Sequence, residues 1–159
     1  MKRSNMAVRK RIDKILGSVL GTIMAVMVIN VLWQVFTRYV TGNPSSFTDE
    51  LARYLMIWIG VLGAAYVSGR NSHVAIDILP GRASSKNQRR LKALVTILVI
   101  LFVLLAFVIG GSRLVYLSYI LGQQSPALRI PMALVYVILP VSGLLIIFYK
   151  LSDLLNRTT

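Results

Sequence analysis

The sequence predicts an all-α integral membrane protein with four transmembrane helices, and three observations carry that prediction. The chain has 159 residues, of which 56% are hydrophobic and 14% charged, whereas an ordinary soluble domain carries about 25% charged residues. Its mean hydropathy is +0.71. Its charges are gathered between four stretches free of Asp, Glu, Lys and Arg, at residues 15–37, 54–69, 93–112 and 130–149, which are 23, 16, 20 and 20 residues long. A helix that crosses a bilayer needs about 20 apolar residues.

Each element follows from local pattern. The first span is expected at about 15–39. Ahead of it, Val8, Ile12, Ile15 and Val19 recur at helical spacing among basic residues. That pattern describes an amphipathic N-terminal segment, suited to the membrane interface, that bends into the span. The apolar run is longer than that of a signal peptide and no A-x-A site follows, so the span is expected to be retained. The second span, about 49–69, has a short charge-free run and reaches full length if Glu50 and Arg53 lie at the interface. Thr48 or Ser46 can cap its start, and Asp49 and Glu50 suit the positive end of the helix dipole. After it, residues 71–79 alternate apolar and polar and stop at Pro80-Gly81, predicting a short interfacial segment. The third span, about 91–121, continues past Arg113 toward Leu121. The fourth, about 130–151, has Pro131 in its first turn and Pro140 near its middle, where a proline kinks a helix. Gly17/Gly21 and Gly60/Ala64 form small-xxx-small faces that allow close helix contact. Together these make one membrane domain, 1–159.

The basic residues give orientation. Lys2, Arg3, Arg9, Lys10, Arg11 and Lys14, the group from Arg70 to Lys92, and Lys150 and Arg157 place fourteen Lys/Arg on one side, against Arg38, Arg53, Arg113 and Arg129 on the other. The positive-inside rule makes both termini and the middle loop cytoplasmic, with the loops near 40–48 and 122–130 outside. Arg9, Lys10, Arg11, Arg89 and Arg90 are candidates for contact with phospholipid headgroups at the inner rim.

Much chemistry is excluded. The formal charge is +13, which on a soluble protein would suggest nucleic acid; here the charges flank apolar runs, and no RNA-stacking motif or Gly-rich phosphate loop accompanies them. There is no Cys and one His, leaving no thiol catalysis, no Cys-ligated zinc and little basis for a metal; no cofactor is expected. All five carboxylates, Asp13, Asp49, Glu50, Asp77 and Asp153, map to span ends or beyond, which argues against a self-sufficient proton-coupled pump. No nucleophile or acid–base pair suggests an enzyme. The densest polar cluster is Asp49, Glu50 and Arg53, where Asp49–Arg53 at i,i+4 or Glu50–Arg53 at i,i+3 can neutralise the arginine. It reads either as capping with charge pairing or as a docking point for another subunit. His73 and Asp77 would share a face if their segment were helical.

Three stretches resemble the small membrane subunit of tripartite ATP-independent periplasmic (TRAP) transporters, the DctQ type, which includes sialic-acid members. FTDELARYLMIWIGVLGAAYVSGRNSHVAIDIL at 47–79 has the acidic pair, Arg53, a Gly/Ala-rich helix and the His73–Asp77 ending. SPALRIPMALVYVILPVSG at 125–143 and WQVFTRYVTGNP at 33–44 follow the same pattern.

The resemblance implies a scaffold partner of a large elevator-type membrane subunit in sodium-driven uptake of an organic acid. A periplasmic binding protein delivers the substrate, with sialic acid and four-carbon dicarboxylates among the classes. The chain stops after four spans, as a separate small subunit would. The resemblance makes Arg38, Asp49, Glu50 and Arg53 outer-side and His73 and Asp77 cytoplasmic-side subunit-interface candidates, and Asn43, Ser45, Ser46, Gln123 and Gln124 candidates for binding-protein docking. The alternatives are an independent small four-helix transporter or a membrane assembly protein.

Overall fold

In the computed structural model, residues 2–42, 45–70 and 85–157 are described, with side chains at 8–40, 42, 45–70 and 93–153. Four helical rods cross the structure. The first is α1 (Lys2–Phe36), prolonged by a π-helical turn at Thr37–Thr41 and closed by Gly42 in the left-handed region. The second is α2 (Ser46–Arg70). The third comprises α3 (Ser85–Val103), a π-helical segment (Leu104–Gly110) and α4 (Gly111–Ile120). The fourth comprises α5 (Met132–Tyr136) and α6 (Ile138–Arg157). Each rod contains a segment long and apolar enough to cross a membrane: Val8–Val40, Ser46–Arg70, Ala93–Ile120 and Met132–Asp153. At 1.5 Å rise per residue, even the shortest reaches about 33 Å, enough for a hydrocarbon core of about 30 Å.

The basic N-terminal turns are continuous with the first span, with no separate interfacial helix ahead of it among the described residues. Residues 71–79, expected as an interfacial segment, lie outside the described residues, as do His73 and Asp77.

The rods pack in the order first, second, fourth, third: α1 lies on α2, α2 on α6, and α6 on α3 and its π segment, with α4 on α5. Leu16, Leu62, Ala65, Val103, Ile138 and Ile146 form the buried core between them. The outer rods leave large apolar side chains uncovered, such as Ile29, Leu32 and Tyr39 on the first and Ile97, Leu98 and Phe102 on the third. Lipid or another membrane chain suits those faces, since hydrocarbon covers them at no cost.

Of the small-xxx-small glycines only Gly17 meets another helix, where a Cβ would lie 3.4 Å from the Tyr66 hydroxyl. A Cβ added at Gly21 or Gly60 would have nothing within 4 Å. The tight points are Gly69, where a Cβ would sit 2.8 Å from the Tyr149 ring, and the crossing of the third and fourth rods. At that crossing a Cβ on Gly111 would meet Leu139 at 3.0 Å and Pro140 at 3.1 Å, and one on Gly143 would meet Phe107 at 2.9 Å. The break between α5 and α6 lies just ahead of Pro140. That ring cannot donate to the Tyr136 carbonyl and crowds it, so regular α-helix stops there. Trp58 Nε1 donates to the nearby Val135 carbonyl at 3.1 Å, so one backbone acceptor at the break is satisfied from α2.

Candidate functional site

The polar groups collect at the two ends of the bundle. The end bearing the 121–131 connection and the start of α2 will be called the loop end; the opposite one, with Arg9 and Asp153, the terminal end.

At the loop end the connection between α4 and α5 folds back on itself. Ser125 N–H donates to the Ile130 carbonyl (2.9 Å), Arg129 N–H to Ser125 (3.0 Å) and Met132 N–H to Gln123 (2.9 Å). Gly122 and Arg129 take positive φ, 58° and 53°, to make the turns. This fold leaves the amides of Ala127 and Leu128 pointing at α2. Glu50 accepts both on Oε2, at 2.8 and 2.9 Å, while its Oε1 accepts the Tyr54 hydroxyl at 2.6 Å. The Tyr54 oxygen is also 3.3 Å from Met132 Sδ. An ionised carboxylate is acceptor-only, so three converging donors suit it. The acid thus clasps a loop whose residues are more than seventy positions away.

Asp49 does different work. Its Oδ2 receives Arg53 Nη2 at 2.7 Å and its Oδ1 receives Gln34 Nε2 from α1 at 3.3 Å. Of the two pairings open in the sequence, Asp49–Arg53 forms and Glu50–Arg53 does not. Neither Thr48 nor Ser46 caps α2. Thr48 sits in the first turn, and its hydroxyl donates to the Ser45 carbonyl at 2.8 Å. The Thr48 carbonyl receives the amide of buried Asn30 at 2.7 Å, a second tie from α1. Arg38 is exposed on the π-helical turn and makes no ion pair among the described residues. Ser45 is half-buried, and Ser46, Gln123 and Gln124 are exposed; Asn43 lies outside the described residues.

At the terminal end three rods are fastened by side chains. Arg9 of α1 pairs with Asp153 of α6 at 2.6 Å, donates to the Gly69 carbonyl at the end of α2, and lies 5.4 Å from the centre of the Tyr149 ring. The hydroxyl of Tyr149, a fully buried residue, donates to Asp13 of α1 at 2.5 Å. Arg9 is therefore committed within the chain. Lys10 and Arg11, in the next positions, are exposed; Arg89 and Arg90 lie on α3, beyond the described side chains.

Sequence reasoning found the Asp49–Glu50–Arg53 cluster but missed Asn30, Gln34 and Tyr54 as its partners, and Gly69, Tyr149 and Asp153 as the partners of Arg9. Asn30 and Gln34 carried a signal, being amide side chains inside an apolar run. The described residues contain no cluster of His, Cys, Asp and Glu able to hold a metal.

Residues 27–159 match the family model described as tripartite ATP-independent periplasmic transporters, DctQ component. The sialic acid TRAP transporter small permease protein SiaQ of Vibrio cholerae is 27% identical over 153 residues, covering 93% of this chain and 84% of that one. The C4-dicarboxylate TRAP transporter small permease protein DctQ of Rhodobacter capsulatus is 30% identical over 112 residues, 64% of this chain and 44% of that one. The isethionate TRAP transporter permease protein DctMQ of Oleidesulfovibrio alaskensis is 28% identical over 141 residues, which are 84% of this chain but 22% of that longer protein. A family of transporter permease subunits is not a family of enzymes, and four apolar rods make this a multi-pass membrane protein. The chain belongs to the DctQ component family of tripartite ATP-independent periplasmic transporters, as a small permease subunit.

Proposed function

We propose that this small permease subunit is a static scaffold: it packs against a large elevator-type membrane subunit that carries an organic acid inward on a sodium gradient, and it holds no transport site itself. The observation that carries this reading is the state of its acids. Each described carboxylate has a structural bond at a bundle end: Asp13 to Tyr149, Asp49 to Arg53 and Gln34, Glu50 to the 125–130 loop, and Asp153 to Arg9. Transporters and proton relays mark their pathway with ionisable groups inside the membrane, and none of these four is placed to do so. The uncovered apolar faces of the outer rods offer the area for a partner. A large partner is also supported by DctMQ, a longer protein that this chain matches over 22% of its length.

In this reading the membrane is a bacterial inner membrane with both termini cytoplasmic, as the Lys/Arg asymmetry supports. The loop end then faces the periplasm. Arg38, Asp49, Glu50 and Arg53 border the large subunit there, and Asn43, Ser45, Ser46, Gln123 and Gln124 meet a periplasmic binding protein. His73 and Asp77 serve the subunit interface on the cytoplasmic side, and Lys10, Arg11, Arg89 and Arg90, beside the engaged Arg9, meet phospholipid. The substrate is a carboxylate such as sialic acid or a four-carbon dicarboxylate. Co-purification of the tagged chain with the large subunit tests the assembly: stoichiometric recovery is expected, reduced by Arg53→Ala, and its absence for the unaltered chain contradicts the reading.

A further inference from the structure

Between α1 and α2 at the terminal end lies a cavity of about 580 Å³ whose walls include Lys10, Asp13, Lys14, Gly17, Tyr66 and Arg70. Its charge is uneven. Lys10, Lys14 and Arg70 bring three cations, and none of them forms an ion pair among the described residues. The one acid, Asp13, already accepts the Tyr149 hydroxyl. Arg70 is held at the wall by its stacking on Tyr66, with the guanidinium carbon 4.8 Å from the ring centre. Gly17 supplies the space: a Cβ there would come within 3.4 Å of the Tyr66 hydroxyl, so a larger side chain would enter the cavity. Beyond it both rods turn apolar toward the bundle centre, where Leu16 and Leu62 belong to the buried core and Leu20 packs against that core.

A concave site with excess positive charge, at the end of two apolar membrane-spanning rods, has the chemistry to receive a phosphodiester headgroup whose acyl chains lie against those rods. We propose that this cavity binds one anionic glycerophospholipid, with Lys10, Lys14 and Arg70 around its phosphate. This sharpens the proposed lipid contact from a basic rim to a single stoichiometric site. It rests on the proposed topology, in which this end meets the cytoplasmic leaflet, and is independent of any transport role. Arg9 takes no part, being committed to Asp153.

The test is native mass spectrometry of the purified full chain in nonionic detergent, titrated with phosphatidylglycerol, phosphatidylcholine or inorganic phosphate. One tightly held phosphatidylglycerol per chain is expected, with phosphatidylcholine binding far more weakly and phosphate failing to displace the lipid. Each Lys or Arg near an anionic lipid surface contributes about a factor of five, so the Lys10→Gln/Lys14→Gln/Arg70→Gln variant should bind roughly 100-fold more weakly. Gly17→Leu keeps every charge while filling the cavity, and the same loss is expected from it. Equal affinity for phosphatidylcholine, displacement of the lipid by phosphate, or undiminished binding by Gly17→Leu would overturn the site. None of those results would bear on assembly with the large subunit.

Discussion

Replacing Glu50 by Ala removes one side chain and releases a loop in another part of the sequence. The carboxylate receives two backbone amides and one phenol, at 2.6 to 2.9 Å. A hydrogen bond to a charged group contributes about 1.5–3 kcal/mol to stability. The Ala127 residue is exposed, so water can replace that bond; the Leu128 residue is half-buried, and the Tyr54 bond is intrahelical. The net cost to the loop is therefore about 3 kcal/mol rather than the sum of three full bonds, which is a shift of roughly 150-fold between closed and open loop. Hydrogen exchange of the 123–131 peptide reads that shift, because local opening exposes its amides while the helices stay protected. Glu50→Ala should speed exchange there by about two orders of magnitude. Glu50→Gln keeps an acceptor oxygen and loses the charge, so its effect should be about tenfold. Unchanged exchange in Glu50→Ala would refute the claim that this carboxylate holds the loop.

Other outcomes follow from the same geometry. Gly69→Ala should lower the stability of the purified chain by about 1–3 kcal/mol, since a Cβ there meets the buried Tyr149 ring, whereas Gly21→Ala, in open space, should leave it unchanged or slightly raised; thermal unfolding in detergent compares them. A double-mutant cycle of Arg9→Met and Asp153→Asn should give a coupling of about 1–2 kcal/mol, because both side chains are largely buried, at 21% and 15% exposure. The same cycle on Arg53 and Asp49, exposed at 72% and 49%, should give less than about 0.5 kcal/mol. The chain has no cysteine, so single cysteines report topology cleanly: Ser46→Cys and Gln124→Cys should react with an impermeant maleimide from the periplasmic side and Lys10→Cys should not.

The four rods were legible because an unbroken apolar run has few alternatives in a chain this poor in charge. Pro140 likewise announced the interruption of the fourth rod, since its ring removes a donor wherever it falls. The partners were not legible, and the reason is physical. Glu50 is held by amides of Ala127 and Leu128, and a backbone N–H has no signature in the sequence; only the turn at Gly122 and Arg129 aims it. Arg9 reads as one of six basic residues on the N-terminal segment until the fold brings Asp153 to it. Of the glycine motifs only Gly17 meets a neighbouring helix, because regular spacing marks a smooth face without saying that a helix crosses there. The tightest contacts are made by Gly69 opposite Tyr149, Gly111 opposite Leu139 and Pro140, and Gly143 opposite Phe107 and Val108. The π-helical segment at Leu104–Gly110 has no local signal in LLAFVIG; it lies where the third rod passes Gly143 and leads to the Gly111–Pro140 contact.

The central claim is that this chain assembles a transporter without transporting. Sodium-dependent uptake into proteoliposomes tests it most directly, with the chain alone, the large subunit alone, the two together, and the two with the binding protein. Uptake is expected when all three proteins are present, and none from this chain alone; sodium-driven uptake by this chain alone would contradict the claim.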